Sequence, residues 1–182
     1  MWEADLPSLE DDLRQGDLLS NVSFPQLDRR LEPDAQGRAT LLVKSRTVIV
    51  VTQCCTVEQR GIIAVAPVGS TRELNPDDRL YQALMTEEPP PSQEVDSVPY
   101  AIDLFRLEPL HNHLPERPNR LRVAELTKIL TFTGDSGWLR QARVARLTPR
   151  ARQLLRLKLA LFWSRVEETD AEALERMGFE AR

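Results

Sequence analysis

Two neighbouring apolar segments, residues 47–52 and 62–68, constrain the fold of this chain more than any other feature of its sequence. Both are rich in β-branched residues, which favour strands, and a short polar connection that ends at Gly61 separates them. Neither segment alternates cleanly between apolar and polar residues, so we expect both faces of each strand to be covered. Pro67 stands near the end of the second segment, as expected at a strand end or a sheet edge. The two segments therefore predict the centre of a small barrel or a strongly curved sheet.

Local start and stop signals place helices around these strands. Thr148 and Pro149 combine a helix cap with a proline at the first helical position, and they predict an apolar helix to about residue 166. Asn75 and Pro76 predict a shorter helix over about 76–86 in the same way. Weaker signals predict the remaining elements: an acidic helix from Ser8 to about residue 16, strands at 17–22, 40–43 and 98–107, a loop at 110–119, a strand or helix at 121–133, and a short helix ending at Gly178.

These elements predict one α+β domain over residues 1–182: a small SH3-like β-barrel or curved mixed sheet with a long C-terminal helix packed on it. Residues 16–133 form the barrel, including the inserted helix, and residues 134–182 form a helical C-terminal extension. A chain of 182 residues, 41% of them hydrophobic, is large enough to bury one core. No segment approaches the roughly 18 consecutive apolar residues of a membrane helix. The acidic N-terminus lacks the regions of a signal peptide, so we expect a cytoplasmic protein without membrane contact.

Three motifs in order, GDLLSNV (16–22), SRTVIVVTQ (45–53) and IIAVAPVGST (62–71), resemble the MazF/PemK-like toxin family. In that family a Gly-Asp opens the first strand and an arginine leads a later one. The resemblance implies an SH3-like barrel that can form a homodimer, RNA as substrate, and a bacterial toxin–antitoxin or antiphage defence setting. The chain also resembles uncharacterised bacterial proteins with a GD…SQxCDI-type pattern, a similarity that implies no activity.

The toxin resemblance implies an endoribonuclease site in which Arg46 stabilises charge on the phosphate while positioned groups transfer protons. The threonine of the family falls on Gly69, so the hydroxyl groups nearby belong to Ser70 and Thr71. Thr47 also replaces the usual proline after the arginine. Because one of the two catalytic groups is displaced, our leading interpretation is a non-catalytic binding or accessory module. A metal-independent endoribonuclease using Arg46 with Ser70 or Thr71 is the alternative.

The candidate binding surface lies at one end of the predicted barrel and continues along a basic segment. Residues 136–165 carry eight arginines and lysines and no acidic residue, in a protein of net charge −4. Such a segment suits the phosphates of RNA or DNA. Alternatively, its side chains flank the packed helix face or form a protein interface, with the acidic segments 3–17 and 167–180 or a partner as counter-charges. We expect a protein partner, while RNA and a homodimer stay open. The candidate binding residues are Gln53, Cys54, Glu58, Arg60, Arg143, Arg146, Arg150, Arg152 and Arg156.

The cysteines and histidines leave further alternatives. A thiol at Cys54 or Cys55 near Arg60 would ionise more readily, but a thiol-dependent enzyme also needs His111 or His113 beside it. The preferred interpretation is one buried cysteine and one incidental thiol. Zinc sites usually space their cysteine ligands by two to four residues, and adjacent cysteines depart from that spacing. We therefore expect no metal and no cofactor.

Overall fold

The structure, a computed structural model, describes residues 1–26, 42–53, 61–88, 100–133 and 137–164. The predicted connection at 54–60 and the predicted helix ending at Gly178 lie outside these residues. The elements in chain order are β1 (Asp17–Gln26), β2 (Leu42–Val50), β3 (Ile62–Ser70), α1 (Arg79–Met85), β4 (Leu104–Leu107), β5 (Arg122–Glu125), β6 (Leu130–Thr133), α2 (Gly137–Gln141), β7 (Arg143–Arg146) and α3 (Pro149–Ser164).

The seven strands form one curved antiparallel sheet in the order β4-β5-β3-β2-β1-β7, and β6 pairs with β3. Strand β3 is central, because it pairs with β6 at its start, with β2 in its middle and with β5 at its end. Among the described residues the outer strands β4 and β7 do not pair with each other, so the sheet is not closed into a barrel. The α+β prediction is confirmed in its curved-sheet form.

Both faces of the central strands are buried, as the two apolar segments predict. Ile49 of β2 packs in one apolar cluster with Ala66 of β3 and Leu155 of α3. The next residue of β2, Val50, points to the opposite face and packs with Leu139 of α2 in a second cluster. Each fully buried side chain of this size contributes about 1.5–3 kcal/mol. Helices α3 and α2 therefore cover opposite faces of the sheet.

Helix α3 begins where its sequence signals predict. Its start is held by Thr148, whose carbonyl oxygen accepts a hydrogen bond from the Arg152 amide at 2.9 Å and whose Oγ1 accepts one from the Ala151 amide at 3.4 Å. In the part of the chain that the structure describes, no helix is long and apolar enough to cross a membrane.

The predicted acidic helix at the N-terminus is wrong. Residues 8–16 form turns instead, in which the Asp11 amide donates to the Ser8 carbonyl oxygen at 3.1 Å. The reason is tertiary: carbonyl oxygens of this segment, including those of Ser8 and Asp12, accept hydrogen bonds from Arg143. A helix here would use these carbonyl groups for its own backbone hydrogen bonds. They are instead bound by Arg143 of β7, more than 130 residues away in the sequence.

Other boundaries also differ from the prediction. Residues 40–43 and 47–52 were expected in separate strands, whereas the described residues 42–50 are continuous in β2. The predicted strand at 98–107 is limited to β4 among the described residues, and the ambiguous segment 121–133 contains the two strands β5 and β6. The predicted helix at 76–86 begins three residues late, at Arg79 in α1.

Candidate functional site

The predicted catalytic residues lie on or beside the neighbouring strands β2 and β3, beyond the last β2–β3 pair, Val48 opposite Pro67. Arg46 is exposed on β2, opposite Val22 of β1. Ser70 ends β3 opposite Arg122 of β5, and its Oγ accepts a hydrogen bond from Arg122 Nη1 at 2.6 Å. Thr71 Oγ1 accepts one from the Leu121 amide at 3.0 Å. Both hydroxyl groups therefore take part in joining β3 to β5.

The predicted binding residues do not form one surface. Gln53 is exposed after β2, whereas Cys54, Glu58 and Arg60 lie outside the described residues. The candidate thiol groups of Cys54 and Cys55 therefore also lie outside the described residues. His111 and His113 are described, and both are exposed in the loop between β4 and β5. Among the described residues, no group of three or more His, Cys, Asp or Glu side chains comes together as a metal site.

Arg143 and Arg146, predicted on a binding surface, are instead buried in β7. Arg146 contacts the buried carboxylate of Asp17 twice, through Nε at 2.6 Å and Nη2 at 3.0 Å, and Arg143 Nη1 lies 3.3 Å from the same carboxylate. Burial alone would lower the pKa of Arg146, but the hydrogen bond and charge of Asp17, together with the charges of Glu3 and Asp11, raise it. These two arginines and Asp17 form the buried ion cluster, which fastens the N-terminal segment to the sheet.

The remaining candidate arginines lie on α3. Arg152 pairs with Glu3 at 3.2 Å, and Arg156 donates from Nε to Gln15 Oε1 at 2.9 Å. Arg150 is 81% exposed and approaches Glu87 at 3.8 Å. The acidic N-terminus is thus an intramolecular partner of the basic segment.

A different group of arginines does converge on one place. They line an open cleft of about 310 Å³ between α1, β4, β5 and the loop before β5. We call it the arginine cleft, defined by Arg106, Arg117, Arg120 and Arg122. Arg106 comes from β4 and Arg122 from the neighbouring strand β5, where it lies opposite Leu107. Because Arg106 lies opposite Val123, the two arginines leave opposite faces of this strand pair and both line the cleft.

A tight turn brings the other two arginines to the cleft. The Arg120 amide donates to the Arg117 carbonyl oxygen at 3.2 Å, and the central positions are Pro118 and Asn119. Asn119 has a positive φ of 55°, and a proline followed by such a residue matches a type II turn. The Leu74 amide ties the turn to the segment between β3 and α1 by donating to the Asn119 carbonyl oxygen at 2.7 Å.

Arg122 is held in place by neutral groups. Besides the contact with Ser70, its Nε and Nη2 each donate to the Pro115 carbonyl oxygen at 3.3 Å. These contacts use three of the five N–H groups of a guanidinium. Burial, and then the charge of Arg117, lower the pKa of Arg122. The cleft therefore holds like charges whose mutual repulsion a bound anion would relieve.

Carboxylates within the described residues balance this charge only in part. Of the four arginines, Arg120 alone forms an ion pair with a described residue, Glu73 at 3.3 Å. Two glutamates line the cleft, but Glu108 is bound to the Met1 ammonium group at 2.7 Å and Glu116 is exposed. The arginine cleft is thus suited to bind negative charge. The cluster is not among the binding residues that the sequence predicts, and residues 110–119 are predicted only as a loop. Its local signal is the run RPNRLR at 117–122.

A buried lysine lies on the other side of β4. Lys158 of α3 donates to the Leu104 carbonyl oxygen at 3.0 Å and stands 4.3 Å from the centre of the Tyr100 ring. Burial lowers the pKa of Lys158 to about 8, and the charge of Asp103 acts in the opposite direction. Burial also raises the pKa of Tyr100 to about 12. This lysine fastens α3 to the start of β4.

No family model matches the sequence, and the comparison with curated proteins also finds no match. The interpretation of the site therefore depends on the residues of this chain.

Proposed function

We propose that this chain is a non-catalytic binding module that recognises an anionic group of its partner through the arginine cleft. One observation carries the proposal: four guanidinium groups line one cleft of a protein with net charge −4. Arginine is well suited to such a site, because its planar fork donates two parallel hydrogen bonds to a carboxylate or phosphate.

The chemistry of these side chains supports binding rather than catalysis. A guanidinium stays protonated in proteins, so it stabilises charge but does not act as a general base near neutral pH. An endoribonuclease at the predicted site would combine Arg46 with Ser70 or Thr71, but both hydroxyl groups already accept hydrogen bonds that join β3 to β5. The geometry thus gives the nuclease alternative no specific support.

The biological setting in this proposal comes from the resemblance to toxin-like barrels. It places the module in a bacterial toxin–antitoxin or antiphage system, with a protein as the expected partner. RNA and a second copy of the chain remain alternative partners. The kind of molecule that the protein binds in an assay distinguishes these partners from one another.

A combined binding and cleavage assay tests the proposal. The full chain is incubated with a single-stranded RNA oligomer and, separately, with poly-aspartate, at low and moderate salt. We expect salt-sensitive binding of at least one probe without RNA cleavage, because contacts between charged groups weaken as salt rises. Arg122→Gln and Arg117→Gln should each weaken binding at least about fivefold, since a hydrogen bond to a charged group contributes about 1.5–3 kcal/mol.

Two control variants make the assay selective. Arg150→Gln removes an exposed arginine that does not line the cleft, so it should bind as the unaltered protein does. Arg46→Ala should also retain binding. RNA cleavage that Arg46→Ala abolishes would establish the nuclease alternative, and equal loss of binding in all arginine variants would show that the cleft has no special role.

A further inference from the structure

We infer that the anion bound by the arginine cleft is the phosphate of a nucleotide, whose base packs on the apolar wall that includes Tyr81. This inference rests on the proposed function and narrows its ligand to one chemical class, which favours a nucleotide over the protein partner that the resemblance implies. Two features of the cleft lead to it: the number of guanidinium groups and the apolar residues of its lining.

The arginines favour a phosphate over a single carboxylate. A phosphate monoester carries close to two charges and three acceptor oxygens, so it can bridge several guanidinium groups at once. Arg117 and Arg122 are close enough for the charge of one to lower the pKa of the other. Arg122 is already oriented by Ser70 and Pro115, which lowers the conformational cost of binding.

The apolar wall of the cleft favours a flat, partly apolar body beside the phosphate. It contains the half-buried ring of Tyr81 together with Leu74, Pro76 and Leu121. Every nucleobase has a face that stacks on aromatic rings.

The size of the cleft favours one nucleotide. Its volume of about 310 Å³ is at the lower end of the range for small-molecule sites, which is about 300–1,000 Å³. The same chemistry is offered by a free mononucleotide and by the 5′-phosphorylated end of a strand.

Calorimetric titration of the full chain with AMP, adenosine and inorganic phosphate tests this inference. We expect AMP to bind at least about tenfold more tightly than either fragment, because only AMP engages both walls. A 5′-phosphorylated adenosine hexamer and its 5′-hydroxyl form identify the source. Binding of AMP alone points to a free nucleotide, whereas binding of the phosphorylated hexamer with at least equal affinity points to a strand end.

Variants separate the two walls. Arg117→Gln, on the exposed turn, should reduce AMP affinity towards that of adenosine. Tyr81→Ala should reduce it about tenfold towards that of phosphate, while Tyr81→Phe keeps the ring and should restore it. Arg150→Gln serves again as the matched control and should leave AMP affinity unchanged.

The outcomes for the two proposals are distinguishable. If poly-aspartate or RNA binds at the cleft but AMP binds no more tightly than phosphate, the nucleotide inference is overturned and the binding module stands. If Arg117→Gln and Arg122→Gln leave the binding of every anion unchanged, both proposals are wrong.

Discussion

Replacing Asp17 by asparagine tests the role of the buried ion cluster. Asp17 is fully buried, and the side chains of Arg143 and Arg146 are only 1% and 6% exposed. Asp17→Asn keeps the shape of the side chain but removes its charge, so two buried guanidinium groups lose their counter-charge. Removing one partner of a buried ion pair costs about 3–5 kcal/mol. Because a domain is stable by only about 5–15 kcal/mol, this one change should remove a large share of the stability.

Urea unfolding at neutral pH, followed by tryptophan fluorescence, measures this loss. Asp12→Asn is the matched control, because Asp12 is 59% exposed and forms a surface pair with Arg140 at 3.5 Å. Such pairs contribute only about 0–1 kcal/mol. Hydrogen exchange of residues 1–16 should also rise more in Asp17→Asn, since that segment is bound to the same arginines. A cost for Asp17→Asn below about 1 kcal/mol, equal to that of the control, would refute the reasoning.

Two further predictions concern Lys158 and Gly16. Since burial lowers the pKa of Lys158 to about 8 from 10.5, the unfolded chain binds more protons between these values, and stability should rise with pH through that window. Between about pH 7.5 and about pH 9.5 the free energy of unfolding, measured with urea, should rise by about 2 kcal/mol, and Lys158→Met should lack this rise. If Lys158→Met shows the same pH dependence as the unaltered protein, this role of Lys158 is wrong. Gly16→Ala should cost about 1–3 kcal/mol in the same assay, because Gly16 has φ 88° and a Cβ there would lie 3.1 Å from Leu147 Cβ. A cost near zero would show that the turn can adjust.

Much of the fold was predictable because its signals are local. The unbroken apolar segments predicted strands covered on both faces, and Ile49 and Val50 do enter different clusters. Thr148 and Pro149 predicted the start of α3, since a cap and a proline act within one turn of the helix. The acidic N-terminus was predicted wrongly, because its carbonyl groups bind an arginine that is distant in sequence.

The candidate site was harder to predict for the same reason. The run at 117–122 shows three arginines and a turn signal, but it does not reveal that Arg106 joins them. That arrangement depends on pairing between β4 and β5 and on the position of α1. Conversely, the segment that contains Arg143 and Arg146 has the composition of a phosphate-binding surface. In the structure, however, Asp17 pairs with both arginines in the interior.

The sequence by itself determined the elements whose signals lie within a few residues: the central strands, the capped helix α3 and the overall α+β class. The tertiary structure decided which charged residues are buried and which meet in the arginine cleft. The physical reason is that backbone propensity and hydrophobic patterning act locally. Burial and the pairing of charges depend instead on contacts between residues far apart in the chain.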